Sequence, residues 1–424
     1  MTTPAPGHGG PGILIVAPNA SSRFGGEAFL PLKYFQILHR RGFPVRLIAH
    51  ARNRTNLQEV LTTEIGSVDF IEDSVWHRLI WNVGRFLPGV LRDAIAGTAL
   101  NLVNEAYQGK LIRRLVREGK VDVIHQPIPV SPKAPSSLYG FGVPVLIGPM
   151  NGGMTYPPGY SDHESAVTRG FVGLARQFAV VVNRFVPGKR RAAALLVANA
   201  RTRAALPIAN HPNVIELVEN GVDLSVWAPP RTAVARQADD PFRLVFMGRL
   251  VGWKAVDITF EAIRLARAAG VDARLDILGD GEERAALEAL AAKLGLADAV
   301  TFLGFRPQAE CAKRLAEADA LILNSVYECG GAVVLEAMSL ERPVIASDWG
   351  GPADYLDPSC GILIPPAPRV TFAARIATAI QRLAGDPELC RAMGEAGRAR
   401  IVADFDWEKK VDRVIAIYTE VCHS

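Results

Sequence analysis

The chain has 424 residues, 49% of them hydrophobic and 21% charged, with a formal net charge of +4. That length exceeds what one hydrophobic core serves, so two or three domains are expected, and the composition excludes a largely disordered chain. A net charge this small gives no basis for nucleic-acid binding.

The first eleven residues hold no Lys or Arg and read as a loose Gly/Pro tail rather than a signal peptide. From there to the C-terminus, short apolar runs alternate with amphipathic helical stretches, the pattern of parallel sheets covered by helices. Strands are predicted at Gly12–Val16, Val45–Ala49, Val121–Ile124, Val143–Ile147 and Ala194–Val197. Between them lie two segments, 74–118 and 169–191, that mix aromatics and valines with arginines, the second ending in Lys189-Arg-Arg191. Such a segment either packs on the sheet with its arginines reaching water or lies on an anionic lipid surface. Residues 228–241 are rich in Pro, Ala and polar residues and form the predicted linker. A second strand series follows at Phe242–Phe246, Ala273–Leu278, Val300–Phe302, Ala320–Leu323 and Pro343–Ala346. The prediction is thus a first doubly wound α/β domain over 1–227 and a second over 242–405. A terminal helix at about 406–424 is expected to pack back on the first. Ligands of such sheets collect at the carboxyl ends of strands, so a site in a cleft between the two is expected.

The five cysteines are scattered, odd in number and free of Cys-x-x-Cys spacing, which argues against disulfides or a zinc site and for a reducing compartment. No run of eighteen apolar residues exists, so no membrane-spanning helix is expected. A cytoplasmic chain is the resulting expectation.

The chemistry concentrates in Asn324-Ser-Val-Tyr-Glu-Cys-Gly-Gly-Ala-Val-Val-Leu-Glu-Ala-Met338. Glu328 precedes Gly330-Gly331, and Glu336 falls about a turn into a helix that starts near Val333. The glycines permit close backbone approach, and the helix start offers N–H groups to an anion. Carboxylates on either side suit the hydroxyl pairs of a sugar nucleotide. A strand followed by a helix with two solvated glutamates reads equally well from the spacing alone. Gly248-Arg-Leu-Val-Gly-Trp-Lys254 ends the first strand of the second series and presents Arg249 and Lys254 around one loop, where a diphosphate leaving group needs positive charge. Gly25-Gly26-Glu27 forms a glycine turn before the helical run Phe29–Arg40, fit either for a phosphate or simply for a tight turn. His125 is expected at a strand end, either structural or pointing at ligand, and Gly148–Gly153 is a further glycine cluster after a strand. Asp404-Phe-Asp406 does not end a core strand and reads as helix capping rather than a metal motif. Gly279-Asp-Gly281 lacks the third glycine of a dinucleotide fingerprint.

Together these residues resemble a glycosyltransferase of family 4, the retaining GT-B group, over nearly the whole chain. The match rests on Gly25-Gly26-Glu27, Arg41-Gly42 with Val45, Asn220-Gly-Val-Asp223, Gly248-Arg249 with Lys254, and Glu328 with Glu336-Ala-Met338. Arg342-Pro-Val-Ile-Ala-Ser347 and Gly350-Gly351 complete it. The resemblance implies a GT-B fold and a sugar moved from a nucleoside diphosphate sugar to a hydroxyl acceptor, a glycan or lipid-linked sugar, in polysaccharide or glycolipid synthesis. It implies no bound metal and no cofactor beyond the sugar nucleotide. Arg249 and Lys254 would bind the diphosphate, Glu336 the ribose, and Glu328 the transferred sugar. Gly330 and Gly331 would give backbone donors, with Gly25, Gly26 and Gly248 in the donor site and His125 near the reacting sugar. Ala255 stands where the family usually has glycine, and Cys329-Gly330 where it commonly has Gly-Phe, so the identity of the sugar does not transfer. The resemblance also favours lipid contact at 74–118 and 169–191, at the inner face of a membrane. A nucleotide-sugar epimerase of the same fold and a non-catalytic scaffold relative are the rival readings.

Overall fold

The computed structural model describes residues 10–22, 25–86, 92–160, 181–208, 210–229 and 240–423. Two compact units emerge: 1–153, 164–220 and 408–424 form the first, and 154–163 with 221–407 the second. The predicted boundary at 227 therefore falls at 220, and most of the predicted linker, 230–239, lies outside the described residues.

The first unit is built on a parallel sheet of β1 (Ile13–Val16), β2 (Val45–His50), β3 (Val68–Ile71), β4 (Val123–Gln126), β5 (Val145–Met150), β6 (Ala194–Val197) and β7 (Val214–Glu216). Its strand order is β3-β2-β1-β4-β5-β6-β7. Around it run α1 (Gly25–Arg40), α2 (Arg54–Val60), α3 (Val75–Gly84), α4 (Gly97–Arg117), α5 (Gly188–Arg191) and α6 (Ala200–Ala204). The near-continuous Ile/Val/Leu content of β1, β5 and β6 reflects burial on both faces, as a sheet covered by helices requires.

The second unit carries β8 (Phe242–Met247), α7 (Val256–Ala268), β9 (Ala273–Leu278), α8 (Arg284–Lys293), β10 (Val300–Gly304) and α9 (Gln308–Ala316). There follow β11 (Ala320–Leu323), α10 (Ala332–Ser339), β12 (Val344–Ser347), α11 (Gly351–Tyr355), β13 (Gly361–Ile364), α12 (Arg369–Gly385) and α13 (Pro387–Arg400). Its parallel order is β10-β9-β8-β11-β12-β13. In both sheets the order reverses beside the first strand, between β1 and β4 and between β8 and β11. At such a reversal the loops leaving the two strands diverge to opposite faces and open a crevice.

The last helix, α14 (Trp407–His423), groups from Glu408 onward with the first unit. Arg41 at the end of α1 donates to Glu408 and Asp412, and Lys410 donates to the Asn220 carbonyl at 2.9 Å. Deeper in, the Tyr418 hydroxyl meets His125 Nδ1 at 2.6 Å. His125 is therefore not at a strand end open to ligand, as the sequence suggested. It lies inside β4 with no exposed surface, between Tyr34 and Tyr418, and its Nε2 donates to the Gly148 carbonyl at 2.6 Å. Both ring nitrogens are occupied, so the reading of His125 beside a reacting sugar is corrected: it is a core anchor for α14.

Burial pushes the His125 imidazole down to about 4, against an ordinary 6.5. Below pH 6.5 the unfolded chain takes up a proton that the folded chain refuses until about pH 4, so this contribution is present above 6.5 and lost on acidification. The loss amounts to about 1.4 kcal/mol per pH unit, roughly 3 kcal/mol over the window. Urea midpoints are expected to fall more steeply with acid for the natural chain than for His125→Gln. Parallel slopes between the two pH limits would remove His125 from the acid response.

Candidate functional site

Two loops leave the switch point of the second unit. After β8 the chain turns through Gly248, with φ +156°, to Arg249 and a single 3₁₀ turn, Gly252–Lys254. After β11 it runs through Asn324 to Gly331, whose φ of +82° lets it cap α10. The loops are stitched together. Val326 N–H donates to the Trp253 carbonyl at 2.9 Å, and the Asn324 amide donates to the Ala255 carbonyl at 2.7 Å while accepting from Thr259 at 2.6 Å. Ala255 caps α7 at φ +52°, the left-handed region. A side chain there costs about 1 kcal/mol, a physical reason for glycine at this place. Asn324 and Thr259, both buried, are the functional supports that sequence reasoning missed. Their signal was a polar residue at the end of an all-apolar strand.

This stitching brings two of the predicted residues into contact. The Lys254 ammonium pairs with the Glu328 carboxylate, with only 14% and 17% of the two side chains exposed. Lys254 also lies under Gly248, where a Cβ would stand 3.7 Å from Nζ. Arg249 sits on the same loop with its guanidinium 5.8 Å from the Trp253 ring centroid. Glu336, in the second half of α10, is half-buried. Burial pushes its carboxyl up to about 8, and burial, with the Glu336 charge adding to it, raises the Cys311 thiol of α9 to about 11. A carboxyl so far from its ordinary range singles Glu336 out as a candidate site residue.

A third loop, after β12, holds the loop after β11 in place. Gly351 N–H donates to the Glu328 carbonyl at 2.8 Å, and Ser347 Oγ donates to the Ser325 carbonyl at 2.6 Å. A Cβ on Gly351 would fall 2.0 Å from the Gly330 oxygen, and one on Gly350 would fall 2.3 Å from the Glu328 oxygen. Close backbone approach, rather than ligand contact, explains these glycines. The same holds for Gly279-Asp-Gly281, where added Cβ atoms would strike the Gly248 and Leu250 oxygens at 1.8 and 2.2 Å. That tripeptide supports the cationic loop from behind.

Residues 154–160, which the sequence placed with the first domain, belong to the second unit beside these loops. The Tyr156 ring lies against Tyr327 with centroids 4.9 Å apart, and Trp349 donates to the Thr155 carbonyl at 2.8 Å. In the first unit, Gly25 and Gly26 form the first turn of α1 itself rather than a turn preceding it. Glu27 accepts from Val130 N–H at 3.0 Å, joining α1 to the loop after β4 at that unit's own switch point. Gly148, with φ +111°, meets the Leu196 carbonyl inside the sheet. Gly25, Gly26 and His125 are thus in the first unit, and the remaining predicted site residues are in the second. Among the described residues, no group of three or more His, Cys, Asp or Glu is placed to hold a metal ion.

Similarity to known proteins differs in extent between sequences and structures. The first-listed curated relatives include the alpha-D-kanosaminyltransferase of Streptomyces kanamyceticus, 32% identical over 43% of this chain and 47% of its own. The D-inositol 3-phosphate glycosyltransferase of Segniliparus rotundus is 34% identical over 49% and 47%. The alpha-maltose-1-phosphate synthase of Mycobacterium tuberculosis is 32% identical over 50% and 58%. The chain spans about half the length of the curated relatives it matches. Solved structures cover far more. The Anabaena HepE protein in complex with UDP superposes with a TM-score of 0.67 at 17% identity, over 96% of this chain and 99% of that one. Sucrose-phosphate synthase from Thermosynechococcus elongatus gives 0.65 at 20% identity, over 96% and 98%. Both units therefore have the Rossmann-like architecture of the GT-B fold, and residues 232–400 match the family model described as glycosyl transferases group 1.

Proposed function

We propose that this chain is a retaining glycosyltransferase that moves a sugar from a nucleoside diphosphate sugar to a hydroxyl acceptor. The observation that carries this reading is the Lys254–Glu328 pair at the β8/β11 switch point, beside Arg249 and the start of α10. As the bond from the sugar to the diphosphate breaks, charge gathers on the leaving oxygen. Arg249 and Lys254 meet it without a metal, and the first N–H groups of α10 with the Gly330–Gly331 backbone hold the phosphates. Glu336 accepts from the ribose hydroxyls and Glu328 from those of the transferred sugar. No side chain on these loops is assigned as a covalent nucleophile. The leaving phosphate takes the acceptor's proton as the new bond forms on the face the diphosphate vacates. The acceptor, a glycan or lipid-linked sugar, is assigned to the first unit. Support comes from the matched family model, from the relatives' names, and from HepE structures solved with UDP and with UDP-glucose.

The test is calorimetric titration with a panel of nucleotide sugars, followed by turnover with and without a hydroxyl acceptor in the presence of EDTA. A transferase is expected to bind one class of donor and release nucleoside diphosphate rapidly only when acceptor is present. Conversion of the donor sugar without acceptor would instead establish an epimerase. Binding with no turnover under any acceptor would leave a scaffold.

A further inference from the structure

Helix α3 turns its apolar side to water. Val75 is 70% exposed, Trp76 60%, Leu79 50%, Val83 60%, and Phe86 just beyond the helix 82%. Positions 75, 79, 83 and 86 recur at helical spacing and, with Trp76, form one stripe along the helix. The side opposite the stripe carries the packing contacts of His77 and Gly84, while Trp81 on that flank is itself 65% exposed. His77, buried, completes a capping box with Ser74 and meets Asn104 of α4 through Nε2 at 2.8 Å. Gly84, also buried, lies so close to Ala96 that a Cβ there would stand 2.8 Å away. A helix held by a histidine and a glycine, with tryptophan, leucine and phenylalanine facing outward, reverses the usual arrangement of a surface helix. Single exposed apolar residues need no explanation, but a continuous stripe marks a surface made to be covered.

The charges around the stripe identify the cover. From Ser74 to Phe86 there is no acidic residue, while Arg78 and Arg85 are both exposed, the latter with its guanidinium 5.4 Å from the Phe86 ring centroid. The nearest acids, Glu72 and Asp73, face Arg54 and His50. Tryptophan and phenylalanine beside arginine, with no acid, is the composition that settles at the boundary of an anionic bilayer. We propose that the α3 stripe is a membrane-surface docking element that lays Trp76, Leu79, Val83 and Phe86 into the headgroup region of anionic lipid. Arg78 and Arg85 then meet the lipid phosphates. No described helix is long and apolar enough to cross a membrane.

The structure also narrows the segments the sequence suggested. Helix α4 buries Asn104, Glu105, Gln108, Ile112 and Leu115 and is a packing helix. Lys189 is buried and donates to the Pro132 carbonyl, so it is unavailable to lipid. Residues 169–180 lie outside the described residues, while Val181 and Phe185 are 53% and 77% exposed.

The experiment is co-sedimentation of the full chain with vesicles of phosphatidylcholine alone or mixed with phosphatidylglycerol, with sedimentation velocity run alongside. Neither donor nor acceptor is present, so the result is independent of the proposed transfer reaction. Binding to the anionic vesicles is expected, weakening with salt. It should fall at least about tenfold for Trp76→Ser/Phe86→Ser and for Arg78→Glu/Arg85→Glu. These side chains are exposed, so thermal midpoints should stay unchanged. No anionic binding, or binding that survives both double variants, would overturn the proposal. So would a self-associated natural chain that Trp76→Ser/Phe86→Ser turns into monomers, because the stripe would then be covered by a second copy.

Discussion

Lys254→Ala is expected to lower turnover about tenfold to a hundredfold or more. A charge-assisted contact is worth roughly 1.5–3 kcal/mol, and each 1.4 kcal/mol is a factor of ten if the contact tightens as charge develops on the leaving phosphate. The Lys254 ammonium is engaged with Glu328, so a phosphate drawn to Lys254 would trade one anion for another. Two consequences follow from that exchange. First, Lys254→Ala strands a mostly buried carboxylate and should also lower stability, by about 1–3 kcal/mol. Urea midpoints and kcat must therefore be measured on the same protein, and a folded Lys254→Ala enzyme with normal turnover would remove the β8 loop from the reaction. Second, Glu328→Gln releases Lys254 from its resting partner. Nucleoside diphosphate without a sugar should then bind more tightly, while sugar transfer falls because the hydroxyl acceptor is weakened. An unchanged diphosphate affinity in Glu328→Gln would mean that the pair opens at no cost, and that Lys254 does not reach the phosphates.

The sheets and the loops after β8 and β11 were legible in the sequence because the same physics shapes both. Strands buried on two faces read as apolar runs, and Ala273–Leu278 and Ala320–Leu323 coincide with β9 and β11 residue for residue. The strands that escaped notice, β3, β7 and β13, are short and carry half-buried or exposed residues, and all three lie at sheet edges. Their alternation is too brief to stand out. In the site, Arg249, Lys254, Glu328 and Glu336 announced themselves by chemical type and by position after a strand. What no linear pattern shows is which polar residues hold loops rather than ligands. Asn324 looks like the first residue of a ligand motif but spends its amide on Ala255 and Thr259. His125 looks like a ligand residue but is locked by Tyr418, 293 positions along the chain. Tyr156 is far from the β11 loop in sequence and touches Tyr327 only because 154–160 folds into the second unit. Long-range partners decide these roles.

Glu336 offers a sharper test, because its titration has a sign. With its carboxyl pushed up to about 8 by burial, the group is mostly protonated at pH 7. Ribose hydroxyls donating to it favour the carboxylate, so donor binding should pull its pKa down and release a proton. Affinity for a nucleotide sugar is then expected to rise with pH, by up to about tenfold per unit below 8, and to level off above it. The diphosphate of a nucleotide sugar does not titrate in this range, and the nearby Cys311 thiol, raised to about 11, stays neutral through it. Titrations in two buffers of different ionisation enthalpy report the released proton directly. In Glu336→Gln the slope and the proton should both vanish, with an affinity loss that remains at high pH. An affinity that falls with rising pH would reverse the assignment, since a protonated Glu336 would then be donating to the ligand rather than accepting from it. A flat profile with no proton released would place the ribose elsewhere and leave the raised carboxyl as a consequence of packing against α9.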